Sequence, residues 1–176
     1  MTRFKLVPEP PERVEAVAEA QRAVPLVPGT EDDCCARLMR RLEFPSRDVA
    51  RTWLTFLRAL ELAEERETGF VRRSQEPTPA HLRSAFLDRV YGAREVRDAL
   101  TAEPRDADAV FARFEACVPV WEHHKDPSGW RETWRERVGF ILDWLVLLGL
   151  AERRAEGYVV DETGRSVGAD GADCGR

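Results

Sequence analysis

The chain has 176 residues, 43% hydrophobic and 34% charged, a globular composition that suits one domain or two small ones. Net charge is −5 and pI about 5.4, which argues against bulk electrostatic binding of nucleic acid and leaves room only for a local basic stripe. The cations are 25 Arg with Lys5 and Lys125. High-GC coding gives this bias, and a halophilic source would also deplete Lys.

Residues 1–10 form a leader in which RFKLV is a candidate strand ended by Pro8 and Pro10. It holds Arg3 and Lys5 but no apolar run of a signal peptide, so the chain reads as cytoplasmic. The segment 11–24 puts Val14, Val17, Ala18 and Val24 on one helical face, interrupted by Gln21. Thr30 caps a second helix whose first residues, Glu31, Asp32 and Asp33, suit its positive end. Phe44-Pro45-Ser46 is a turn, and Ser46 caps a third helix predicted over 47–60. LAEERETGFVRR then reads as two short strands around a turn near Glu67-Thr68-Gly69.

SQEPT (74–78) reads as a linker. Thr78 with Pro79 opens a helix over 79–91, and AREVRDAL makes a short helix after Gly92. A further helix follows the break at Pro104 to Asp108. The long helix is expected over 130–149 and a second hairpin over 150–160. The longest apolar stretch, 140–150, contains Asp143 and is too short to span a bilayer. Residues 163–176 are rich in Gly and Asp and are expected to be disordered.

The chain repeats itself. LTFLRALELAEERETGFV (54–71) returns as LDWLVLLGLAERRAEGYV (142–159) at offset 88, with nine of 18 positions identical. Ala36-Arg37-Leu38 matches Ala112-Arg113-Phe114 at offset 76, so the second copy carries 12 extra residues, placed at 119–130.

The order helix, helix, turn, helix, hairpin over about 11–73, with L-x-L-A-E-x-R-x-x-G-[FY]-V leading into the hairpin, resembles the winged helix-turn-helix superfamily. The resemblance implies a mainly α, α+β fold of two tandem winged helix-turn-helix units, each ending in a small β-hairpin wing. The expected layout is a first unit at 11–73 and a second at 79–162 with its insert at 119–130. It also makes the third helix the recognition helix. In the first copy Arg47, Arg51, Thr55 and Arg58 share the face opposite the apolar one, and Arg66, Arg72 and Arg73 extend it into the wing. Arginine can read guanine edges or hold phosphates, so these seven are the candidate contacts to double-stranded DNA. A solvated charged face is the alternative, and residues 31–76 hold nine Arg against ten acids.

The second copy replaces Arg51 by Gly139 and Arg58 by Val146, and its apolar residues cover most of the helix. Such a helix is expected to be buried all round, by the other repeat, the insert, the helix at 79–91 or a second chain. Trp121, Trp130, Trp134, Val138 and Val146 are the candidates for a dimer or partner interface.

His123-His124 with Cys117 and Asp126 lack metal-ligand spacing, and no cofactor motif or acid–base pair is apparent, so no cofactor, metal or catalytic site is expected. His81 reads as a surface or boundary residue. Two functions remain. One is a DNA-binding transcriptional regulator whose first unit contacts DNA while the second supports it or dimerises. The other is a non-enzymatic interaction scaffold, similar in architecture to kleisin-associated segregation proteins and some membrane-trafficking subunits. A continuous positive stripe around Arg47, Arg51, Arg58, Arg66, Arg72 and Arg73 favours DNA. Neutralisation by Asp48, Glu61, Glu64 and Glu65 favours the scaffold.

Overall fold

The computed structural model describes residues 3–161. They are mostly helical, with two small antiparallel hairpins: α1 (Glu15–Ala23), α2 (Glu31–Leu42), α3 (Arg47–Ala59), β1 (Ala63–Arg66), β2 (Gly69–Arg72), α4 (Pro79–Arg89), α5 (Ala93–Asp98), α6 (Ala107–Phe114), α7 (Val120–Lys125), α8 (Trp130–Leu147), β3 (Ala151–Arg154) and β4 (Gly157–Val160). The tail expected at 163–176 lies outside the described residues. The chain divides into two compact units, Met1–Tyr91 and Gly92–Arg176.

In the first unit the helix starts follow their side-chain caps. Thr30 Oγ1 accepts from Asp33 N at 3.1 Å, and Ser46 Oγ accepts from Val49 N at 3.2 Å. Helix α3 buries Ala50, Trp53, Leu54, Phe56 and Leu57, with Trp53 stacked on Phe44 at 5.4 Å. Gln21, which breaks the apolar pattern of α1, is buried and satisfied. Its amide donates to the Arg73 carbonyl at 3.1 Å and the Gln75 carbonyl at 2.7 Å, tying α1 to the strand that leaves the wing.

Beside the two-stranded wing lies a one-residue bridge that the sequence does not announce. Gly29, in the loop between α1 and α2, exchanges both backbone hydrogen bonds with Phe70, at 3.0 and 2.8 Å. Arg72 N donates to the Pro25 carbonyl at 2.8 Å. This stub explains Gly69. Its φ is +132°, and a Cβ there would land on the Gly29 carbonyl.

The second unit repeats these contacts at the two offsets. Arg105 exchanges both bonds with Tyr158 at 3.0 and 2.8 Å, and Val160 N donates to the Thr101 carbonyl at 3.0 Å. Gly157, at φ +142°, would drive a Cβ into the Arg105 backbone. Residues 29 and 105 differ by 76, whereas 70 and 158 differ by 88. The 12 inserted residues therefore fall between α6 and the repeated part of the long helix. They hold α7 and the start of α8.

One expectation is corrected. The boundary was expected at 74–78, but α4 packs with the first unit. Phe86 meets Phe56 edge-on at 6.2 Å, Arg89 pairs with Glu61 at 2.6 Å, and His81 Nε2 lies 2.7 Å from the Leu60 carbonyl that ends α3. The leader joins it there: Phe4 N donates to the Arg89 carbonyl at 2.7 Å and Tyr91 N to the Phe4 carbonyl at 2.9 Å. The signals at Thr78 and Pro79 mark a helix start correctly, but a start signal carries no information on packing. Within this chain α8 buries one face. Val138, Ile141, Leu142, Trp144 and Leu145 are fully buried, yet Gly139, Phe140, Val146 and Leu147 are only half-buried. Its core face packs on α5 and α6, and α7 lies along it as well.

Candidate functional site

Helix α3 and the wing carry all seven arginine and threonine positions expected to face DNA. Side by side with α3, α2 presents its acidic first turn. Arg47 pairs with Asp32, and Arg51 Nε reaches Glu31 at 2.9 Å with Asp48 at 4.0 Å. Arg58 pairs with Glu65 of β1 at 2.6 Å, its guanidinium over the rings of Phe4 at 5.4 Å and Phe70 at 5.5 Å. Arg66 donates to Glu64 at 2.6 Å along the same strand. Thr55 and Arg72 are half-buried, and Arg73 is exposed. Four arginines of this face thus meet five carboxylates: Glu31, Asp32, Asp48, Glu64 and Glu65. Exposed pairs of this kind are each worth about 0–1 kcal/mol. They add little stability, and each sets a negative charge beside an arginine that a phosphate backbone would otherwise meet.

The acids Glu31 and Asp32 were legible as helix-start residues, not as partners of α3. Their spacing of 15–20 residues from Arg47 and Arg51 places the pairing in the tertiary fold. Arg89 and Phe4 escaped notice for the same reason.

In the second unit the corresponding face is rebuilt. Asp143 and Tyr158 stand at the positions of Thr55 and Phe70, and the Tyr158 hydroxyl donates to Asp143 Oδ1 at 2.6 Å. Burial first, and then that hydrogen bond, push the tyrosine up to about 12. Arg153 reaches Asp143 at 3.4 Å, and Arg135 pairs with Asp108 at 2.9 Å.

The residues expected to form a partner interface are scattered. Trp134 and Val138 are fully buried, Trp134 against Phe114 at 5.7 Å, so both belong to the core of their unit and not to a surface. Arg137 lies 4.4 Å over the Trp134 ring, and its burial lowers the guanidinium from its ordinary value. Trp130 and Val146 are half-buried, and the ring of His123 stacks on Trp130 at 3.8 Å. Only Trp121 stands out, 50% exposed beside Val120 at 67%. Both lie on α7, inside the insert.

Among the described residues, no group of three or more His, Cys, Asp or Glu is placed to hold a metal ion. No described helix is long and apolar enough to cross a membrane. No curated protein and no solved structure matches the chain. A family model does, over residues 2–165, and its description is halobacterial double winged helix domain. The paired bridges, paired glycines and paired hairpins are what a doubled winged helix requires, and the chain belongs to that family.

Proposed function

We propose that this chain is a non-enzymatic interaction protein, in which the doubled winged helix serves as a scaffold. The observation that carries the reading is the charge balance on α3: Arg47, Arg51, Arg58 and the wing residue Arg66 are each engaged by a carboxylate. The α7 insert supports it, because Val120 and Trp121 offer exposed apolar surface of the kind that anchors protein partners. The second unit then supplies the partner surface.

DNA binding by the first unit is the second reading. It is favoured by the family's fold, which is widely used on duplex DNA, and by the exposure of Arg47 and Arg51, each about half open to solvent. On that reading phosphates displace Glu31 and Asp32, and the chain is a transcriptional regulator. Titration of mixed-sequence duplex DNA with wild type and Arg47→Ala/Arg51→Ala separates the two. The scaffold reading expects no binding beyond weak low-salt association, with the same salt slope for both proteins. A steep slope in wild type that becomes shallower by about 2 in the variant would replace it with the DNA reading.

A further inference from the structure

The first unit holds a cleft of about 320 Å³ between the leader, the end of α3, the wing and α4, lined by Phe4, Arg58, Ala63, Glu64, Glu65, Arg73 and Arg89. Its composition is unusual for a surface groove. Two arginines converge on one aromatic ring, the guanidinium carbons of Arg58 and Arg89 lying 5.4 and 5.5 Å from the Phe4 centroid, and Arg73 lines the same cleft. Both are braced from behind, Arg58 by Glu65 and Arg89 by Glu61, each at 2.6 Å. The cleft's other acid, Glu64, is engaged by Arg66, which lies outside the lining. Arg73 is different: it has no carboxylate partner among the described residues. Its main chain is nevertheless fixed, the N–H donating to the Leu62 carbonyl at 3.0 Å and the carbonyl accepting from Gln21 at 3.1 Å. The Arg89 Nε is buried and lacks a hydrogen-bond acceptor.

We propose that this cleft is an oxyanion site that takes the phosphate group of a ligand, with Arg73 as its open donor and Arg58 and Arg89 as pre-oriented ones. With Glu61 behind Arg89 the three arginines meet three carboxylates, and Arg66 on Glu64 leaves the site one positive charge in surplus. Guanidinium forks pair two-to-two with phosphate oxygens, and the bracing carboxylates and the Phe4 ring fix two of the three forks in advance. At about 30 Å³ for each water-sized group the cleft holds roughly ten such groups, so a phosphate with a small organic substituent fits. The group can come from a small phosphomonoester or from a nucleic-acid backbone passing the foot of the wing. The small-phosphomonoester source is compatible with the scaffold reading, whereas the backbone source goes with the DNA reading.

The test uses the full chain at constant ionic strength, balanced with chloride, and inorganic phosphate as the probe. Calorimetric titration and the thermal midpoint are followed for wild type, Arg73→Gln and Arg73→Lys. Both substitutions keep the backbone bonds of residue 73. A saturable rise in the wild-type midpoint is expected, with affinity at least tenfold weaker in Arg73→Gln, intermediate in Arg73→Lys, and phosphate-free midpoints unchanged. Adding a short duplex identifies the source: displacement of phosphate by the duplex assigns the site to a backbone phosphate, and no displacement assigns it to a small phosphomonoester. A wild-type midpoint that phosphate does not move saturably, or equal affinity in all three proteins, overturns the proposal.

Discussion

Replacing Gly69 by Ala tests how the wing is held. At φ +132° an L side chain is strained, by about 1–2 kcal/mol. The new methyl also meets the Gly29 carbonyl, so the two bonds between Gly29 and Phe70 must open. At about 0.5–1.5 kcal/mol for each hydrogen bond, the total loss is about 2–5 kcal/mol. That is a large share of the roughly 5–15 kcal/mol that keeps a domain folded. Denaturant unfolding followed by tryptophan fluorescence gives the global value, and amide exchange over 63–72 and 151–160 gives the location. Gly69→Ala should open the first hairpin and spare the second, and Gly157→Ala the reverse. Gly139→Ala is the control, since nothing lies within 4 Å of its Cβ position and α8 gains about 0.5–1 kcal/mol from losing a helical glycine. If Gly69→Ala and Gly139→Ala shifted stability alike, the bridge account of the repeated glycine would be refuted.

Two further outcomes follow from buried polar groups. Gln21→Ala leaves the Arg73 and Gln75 carbonyls without their donor and should cost about 1–3 kcal/mol in denaturant titrations, whereas the exposed neighbour Arg22 should tolerate Ala within about 0.5 kcal/mol. Stability should also fall at alkaline pH. The Cys34 thiol is raised from 9.0 to about 11 by burial, and the Tyr158 hydroxyl from 10.0 to about 12, so the folded chain holds protons that the unfolded chain releases. Their contribution is complete below about pH 9 and is lost as pH climbs to about 12. Tyr158→Phe should flatten the fall above pH 10, and Cys34→Ala the part between 9 and 11. An unchanged pH profile in both variants would contradict these assignments.

The fold was largely legible because repetition exposes what a single copy hides. Nine identities at one offset and a three-residue match at another pointed to a doubled unit with 12 extra residues, and Gly69 and Gly157 recur among those identities. The cause of their recurrence was not legible, because Gly29 and Arg105 make single-residue bridges with no alternation to read. Helix α4 was misassigned because its cap describes only how it begins. What it packs on is set by Phe56, Leu60 and Glu61, more than 15 residues upstream. The candidate DNA face was legible as a row of arginines, but its charge was not. Glu31 and Asp32 explain themselves as helix-start residues, and nothing local in the sequence says that they turn toward α3. The proposed partner residues were legible only as residue types. Sequence found the tryptophans, while only packing distinguishes Trp134 in the core from Trp121 in solvent.

The central claim is that carboxylates silence Arg47 and Arg51 of α3, and removing those carboxylates tests it most directly. Glu31→Gln/Asp32→Asn/Asp48→Asn frees Arg47 and Arg51 while leaving every apolar contact of α2 and α3 in place. The affinity of this variant and of wild type for mixed duplex DNA is measured across low salt. The account predicts negligible wild-type binding, a gain of at least tenfold in the variant with a steep salt slope, and loss of that gain when Arg47 and Arg51 are also replaced by Ala. Tight wild-type binding that the three substitutions leave unchanged would contradict it.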